Sequence, residues 1–324
     1  MADILASYLS SIGWAEDLSP LWAGDCDLPH ACTSPHQDDY IWVTFRSNSS
    51  MTTPVGTQYL FSFTSELVST PIPIKGLEDY PSTTSGWLFE YNGRIILFFR
   101  GLNPGPDPTY KYITYISEWD GDTKVFKKPE PIIYSTTDEL YPAVPVMYAD
   151  KIHLFLTDQD SPEVIKHWSS RNYQDLTWFL PDKDLQLAGT VAGTPAVAVY
   201  QGAMHVLYGL SSRSLYLQKF DGTYWSEPVR MPAMDATVLA PPRPALTVYN
   251  GLLYCFAIFQ DQRKKNAVLY STYDGTSFSS TDIIEPLMPA GESPGDGVAA
   301  ATRTYSTSQG LQTRMFVLTQ SYRA

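Results

Sequence analysis

The chain of 324 residues carries 34 acidic and 22 basic side chains, a formal net charge of −12, and is 44% hydrophobic. Such an apolar supply builds a sizeable core and excludes disorder as the main state. The acidic balance argues against nucleic acid as a partner, because that affinity rests on clustered Lys and Arg, and the one short basic run is Arg263-Lys264-Lys265.

The chain opens on Met1-Ala2-Asp3-Ile4, which has neither a basic region nor a long apolar core, so no secretion signal is expected. No apolar stretch approaches the roughly 18 residues of a membrane span, and a soluble, cytoplasmic protein without a membrane partner is the expectation. The segment Ile4-Leu5-Ala6-Ser7-Tyr8-Leu9 and the residues through Trp14 resemble a third and a fourth strand without the first two. Cys26, His30, Cys32 and His36 follow with a spacing that superficially resembles a zinc site. Cys32 falls in a strand where small apolar side chains pack, so a packed cysteine is the preferred reading and no metal is expected. With Cys255 the cysteines number 3, which cannot all pair, and none sits in a C-x-x-C arrangement, in keeping with a reducing compartment.

From there one pattern recurs: an apolar strand ending on Tyr, a two-residue turn and a second apolar strand. The clearest copies turn at Tyr91-Asn92-Gly93, Tyr148-Ala149-Asp150, Tyr200-Gln201-Gly202 and Tyr249-Asn250-Gly251, and weaker ones at Asp38-Asp39 and Gln309-Gly310. Asn-Gly and related turns suit tight hairpins because they tolerate positive φ. A third strand closes on Trp119-Asp120-Gly121, Phe220-Asp221-Gly222 or Tyr273-Asp274-Gly275, and Phe126, Trp178, Trp225 or Phe278 marks a short fourth. Four strands per unit with aromatic and Gly punctuation predict an all-β, six-bladed β-propeller of four-stranded antiparallel blades, one domain over 1–324. The sixth copy stops after its second strand, at Arg314-Met315-Phe316-Val317-Leu318. The N-terminal strands therefore pair with the C-terminal ones in one blade and close the ring.

Nucleotide, zinc-protease and nucleophile-elbow motifs are absent from the sequence, so no cofactor is expected. Two sets of positions carry the candidate chemistry. The column just after each hairpin turn reads Trp42, Ile96, His153, His205, Tyr254 and Arg314, facing the clefts between blades. Sealing of those clefts, with His N–H groups given to backbone carbonyls, is the competing reading of this column. The connections from outer to inner strands hold His30, Tyr141, Thr194, Arg243 and Asp296 at one mouth of the central channel. Arg243 follows Ala240-Pro241-Pro242, a stiff backbone that can hold its guanidinium toward the axis. A solvated rim arginine and a turn-forming Asp296 are the plainer alternatives.

The repeated strand, turn, strand and Asp-Gly punctuation resembles the fungal fucose-specific lectin family, six-bladed propellers, over nearly the whole chain. In that family an arginine on the second strand, a glutamate on the third and a neighbouring aromatic bind fucose in each cleft. The arginine position matches here at Arg314 and the glutamate position at Glu118, in the unit whose arginine position is Ile96. The other glutamate positions read Ser62, His167, Lys219, Thr272 and approximately Ser10, so no unit keeps the pair. A non-lectin branch with this fold in fungal secondary metabolism consists of intermolecular hetero-Diels–Alderases, which join an o-quinone methide from a tropolone precursor to a humulene-type sesquiterpene. The resemblance thus implies a cofactor-free pericyclase acting on hydrophobic small molecules. Arg243, His153, His205 and Arg314 would serve as hydrogen-bond donors; Tyr141, Trp42, Tyr254, Thr194 and Asp296 would bind substrate. A fucose-type lectin and a protein-binding propeller scaffold are the alternatives.

Overall fold

The computed structural model describes the backbone of residues 2–10, 13–16, 22–23, 30–33, 41–47, 57–63, 72–80, 82, 84–103, 105, 109–123, 125–135, 141–157, 161–171, 179–232, 237–238, 243–260, 266–284, 292–307 and 310–323. Cys26, His36, Trp178 and the turns at Asp38-Asp39 and Ser308-Gln309 lie outside the described residues, as do the side chains of His30 and Asp296. Strands and no helices form among the described residues, and none of these provides a helix long and apolar enough to cross a membrane. Contacts divide the chain into two compact units, 30–187 and 1–29 with 188–324.

The 30–187 unit holds three antiparallel sheets. The first runs His30–Thr33, Ile41–Ser47, Thr57–Phe63, Ile72–Pro73. The second runs Trp87–Tyr91, Arg94–Leu102, Tyr112–Asp120, Val125–Phe126, and Glu130–Ser135 also pairs with Tyr112–Asp120. The third runs Val144–Tyr148, Lys151–Thr157, Val164–Ser170, Phe179–Pro181, with Leu185–Gln186 on the Val164–Ser170 strand. Arg94–Leu102 shows why these second strands are apolar on both faces. Ile95, Leu97 and Phe99 pack with Leu60 of the first sheet, while Ile96 and Phe98 pack with Ile152 and Leu154 of the third. Each such side chain contributes about 1.5–3 kcal/mol of burial, so stacked sheets make the core and no layer of helices is needed.

The second unit holds the fourth sheet, Ala196–Tyr200, Ala203–Gly209, Leu215–Phe220, Val229–Arg230, and the fifth, Ala245–Tyr249, Leu252–Gln260, Asn266–Tyr273, Asp282–Ile283. Thr237–Val238 adds to the Leu252–Gln260 strand. The sixth joins the chain ends: Glu292–Thr307, Gly310–Arg323, Ala2–Ser10, Gly13–Glu16. Leu9 faces Met315, Tyr8 faces Phe316 and Leu5 faces Thr319, so the N-terminal strand is the third strand of this sheet. The strand pairing expected from the truncated sixth copy is present.

Hairpin chemistry follows the sequence. Asn92-Gly93, Gln201-Gly202 and Asn250-Gly251 take positive φ at both positions, near 48° and 74–78°. Ala149 and Asp150 do the same at 47° and 60° without a glycine. The sixth hairpin turns one residue earlier than the sequence suggests, because Thr307 already pairs with Gly310.

The Asp-Gly punctuation is a capping device. Asp221 Oδ1 accepts the N–H groups of Thr223 and Tyr224 at 2.8 Å each, and Asp274 Oδ1 those of Thr276 and Ser277 at 2.7 and 2.8 Å. Trp225 and Phe278, expected to mark fourth strands, instead form isolated bridges to Phe220 and Tyr273; Val229–Arg230 and Asp282–Ile283 are the fourth strands. The aromatic packs on the ring that closes the third strand, at 4.8 Å for Phe220–Trp225. The serine after it then ties the return: Ser226 and Ser279 hydroxyls accept the N–H groups of Lys219 and Thr272, each at 2.9 Å.

Candidate functional site

The register tests the column directly. Trp42 faces Ser62, Ile96 faces Glu118, His205 faces Lys219 and Tyr254 faces Thr272, as the repeat alignment has it. In the third sheet the alignment is corrected: His153 faces Ser169, and His167 faces Phe155. The aromatic Trp168 resembles the ring that closes the other third strands, but Ser170 holds that place, opposite Ile152, whose N–H it accepts at 2.9 Å.

Most of the column seals packing between sheets. Trp42 lies against Trp119 with centroids 5.5 Å apart, beside Leu60 and Leu97. Tyr254 stacks on Phe256 and Tyr270 at 6.1 and 5.9 Å, and partial burial raises its phenol pKa. His205 is buried against Tyr200 and Tyr273, and its Nδ1–H donates to the Ala203 carbonyl at 3.2 Å. Its Nε2 therefore carries the lone pair, and burial holds the ring neutral by lowering its pKa. Because the sixth hairpin turns early, Gln312 takes the column place and Arg314 lies two residues beyond it, half-buried opposite Arg303 in the sixth sheet.

His153 is buried in the third sheet and gives its Nε2–H to the Tyr148 carbonyl at 3.2 Å, while its Nδ1 lies 2.7 Å from Nε2 of His167. His167 gives Nδ1–H to the Lys183 carbonyl at 3.2 Å, and the carboxylate of Asp182 completes a cluster whose ligand-type atoms lie within 4.8 Å of one another. Burial lowers both histidine pKa values, that of His153 to about 4, with the neighbouring imidazole adding to the effect there. The single N–H of neutral His153 and of neutral His205 is thus already given to the backbone.

The inner-strand connections place a second group. Arg243 is half-buried; its backbone bridges that of Gly297 in parallel, and its carbonyl accepts the Val298 N–H at 3.3 Å. The neighbouring Asp296 lies in the register shift between Pro294 and Val298. Thr194 is buried just ahead of Ala196–Tyr200. The strands Ala196–Tyr200, Ala245–Tyr249 and Glu292–Thr307 lie side by side, so Thr194, Arg243 and Asp296 share the entrance of consecutive inner strands. Tyr141 holds the corresponding place before Val144–Tyr148, half-buried, in the other unit.

One charged pair is missed by the alignment. Arg94 grips Glu118 with Nε to Oε1 at 2.9 Å and a second guanidinium nitrogen to Oε2 at 2.6 Å, and Lys127 adds a contact at 3.2 Å. One sheet therefore does keep an arginine–glutamate pair, contrary to the expectation that none would. Ile96 holds the register position, and Arg94, two residues earlier on the same face, supplies the guanidinium. The hydrogen bonds from Arg94 pull the Glu118 pKa below its usual value.

No protein-family model matches the sequence, and no curated protein sequence matches it. Solved structures do match the fold. AofleA from Arthrobotrys oligospora is 12% identical with a TM-score of 0.56, covering 90% of this chain and 79% of that one. The SapL1 lectin, solved with alpha methyl fucoside, is 11% identical with a TM-score of 0.52, covering 90% and 88%. A GH43_1 enzyme from Xanthomonas citri is 12% identical with a TM-score of 0.54, covering 84% and 96%. At these identities the likeness establishes a fucose-lectin-like β-propeller fold.

Proposed function

We propose that the six sheets are the blades of one six-bladed propeller domain spanning 1–324, closed by the strand pairing of its two ends, and that it acts as a cofactor-free pericyclase. The reaction is an intermolecular hetero-Diels–Alder addition of an o-quinone methide, derived from a tropolone precursor, to a humulene-type sesquiterpene. The observation that carries this reading is that no arginine–glutamate clamp recurs at the facing positions Trp42–Ser62, Ile96–Glu118, His153–Ser169, His205–Lys219 and Tyr254–Thr272, the Arg94–Glu118 pair forming on a diagonal in one sheet. A scaffold of lectin-like shape with its repeated sugar grips replaced by aromatics and buried histidines suits an apolar ligand better than a monosaccharide.

A cycloaddition needs no nucleophile, only two partners held face to face, and orientation can contribute as much as about 7–11 kcal/mol. Arg243, half-buried and fixed by its backbone bridge to Gly297, would donate to the oxygen of the heterodiene, with Arg314 as a further donor. A donor aimed at developing negative charge is worth most where water is scarce. Thr194, buried just ahead of its inner strand, would border the bound partners. The test is incubation of the purified chain with a quinone methide precursor and humulene, followed by chiral product analysis. Faster formation of one stereoisomer is expected; a rate and product ratio equal to buffer overturn the reading.

A second reading is favoured by one feature. The half-exposed Arg94–Glu118 pair offers guanidinium donors and carboxylate acceptors to sugar hydroxyls, so single-site binding of a fucose-type sugar would leave a glycan-array signal that Glu118→Gln abolishes. No array signal removes it.

A further inference from the structure

We propose that His153, His167 and Asp182 form a binding site for one divalent transition-metal ion of the zinc class. A carbonyl oxygen accepts and cannot donate, so the bonds to Tyr148 and Lys183 place the hydrogens on Nε2 of His153 and Nδ1 of His167. The remaining nitrogens, 2.7 Å apart, both carry lone pairs. The ring planes are 29° apart with centroids at 5.0 Å, the separation of two five-membered rings meeting edge to edge, so the lone pairs point at one another.

Two facing lone pairs at that distance repel unless a cation lies between them. A proton shared between the two rings leaves the Asp182 carboxylate beside them unused, whereas a metal ion takes all three donors. Outward N–H groups bonded to carbonyls are the arrangement that orients metal-binding histidines and raises the basicity of their inner nitrogens. His167 is clamped further by Phe155, stacked at 4.6 Å and 7°.

Asp182 supplies an anionic third ligand. Its Oδ1 accepts the Lys183 N–H at 2.8 Å, and the Ser169 hydroxyl also bonds its carboxylate. Two imidazole nitrogens and one carboxylate select zinc, cobalt, nickel or copper over calcium or magnesium. Asp182 is exposed while both histidines are buried, so the ion would enter from its side and keep a position open to water. Zn–N bonds of about 2.0–2.1 Å at a tetrahedral angle put the nitrogens about 3.4 Å apart with their lone pairs converging, so on loading the rings would separate by about 0.7 Å and tilt toward Asp182. The site is separate from the Cys26, His30, Cys32 and His36 spacing seen in the sequence.

The test strips the full chain with a chelator, loads it with Zn²⁺, removes the excess by gel filtration and counts the metal, with affinity from competition against a chromophoric chelator. About one ion per chain is expected, with affinity at least ~10-fold weaker in Asp182→Asn and the ion lost in His167→Gln. Because His167 is buried, near-ultraviolet dichroism of each variant reports its packing. The visible spectrum of the Co²⁺-loaded wild-type chain independently reads nitrogen and oxygen ligation. No retained ion overturns the proposal. So does undiminished retention by both variants, which would place the ion elsewhere, or a Co²⁺ spectrum of thiolate ligation.

Discussion

Alanine at Gly202 and at Gly121 separates backbone strain from every other effect of adding a methyl group. A Cβ at either position meets no atom within 4 Å, so neither packing gain nor clash contributes. Gly202 sits at φ 74°, whereas Gly121 is not among the positive-φ glycines. An L-residue in the left-handed region costs about 1–2 kcal/mol, while Gly→Ala at a compatible position stabilises by about 0.4–1 kcal/mol through the unfolded chain. The second effect is common to both sites, so the two variants should differ by about 1–2 kcal/mol, Gly202→Ala destabilised and Gly121→Ala slightly stabilised. Urea unfolding followed by tryptophan fluorescence measures both. Equal shifts in the same direction would refute the assignment of the turns that define the repeat. Gly251→Ala, at φ 75° and also in open space, should repeat the Gly202 result.

Tyr208→Phe removes the hydroxyl that donates to Gln218 Oε1 at 2.6 Å and leaves that oxygen buried, so unfolding measurements should show a loss of about 1–3 kcal/mol. Cys255 is buried and its thiol is pushed far above the ordinary value. Native chain and Cys255→Ala should therefore titrate the same number of thiols with an aromatic disulfide, differing by one only after denaturation. Glu118→Gln should cost no more than about 1 kcal/mol, because the pair is partly exposed. The pair's contribution is present above the ordinary carboxylate range and fades as pH falls through the lowered Glu118 value, so wild type and variant should converge in acid-titrated melting curves. Arg243→Ala should slow stereoselective product formation while leaving circular dichroism unchanged; unaltered kinetics would remove it from the proposed site.

The architecture was legible because its signals are local. Tyr249-Asn250-Gly251 announces a hairpin through the conformational freedom of two residues, and Asp274 announces a cap through the reach of one carboxylate. The sequence also showed that Arg314-Met315-Phe316 needed partners from the other end of the chain. What escaped was register where an aromatic sits two residues short of the place it holds in the other units. Trp168 and the position of Ser170 differ by two residues, which preserves the face of the strand, so no mismatch in hydrophobic alternation exposes the error.

The same geometry explains why the charged pair and the histidine pair were both missed. On a sheet, a side chain meets the residue directly opposite and also its diagonal neighbours two positions away. Arg94 reaches Glu118 across such a diagonal while Ile96 faces it, and His153 reaches His167 while Ser169 faces it. An alignment of columns compares only facing positions, and so it records an apolar residue and a hydroxyl where the structure has a guanidinium–carboxylate grip and two imidazoles. In a repeat fold the functional pairs are therefore better sought along diagonals on each face than down a single column. For this chain that search moves chemical interest from the aligned Ile96 and Ser169 to Arg94 and His167.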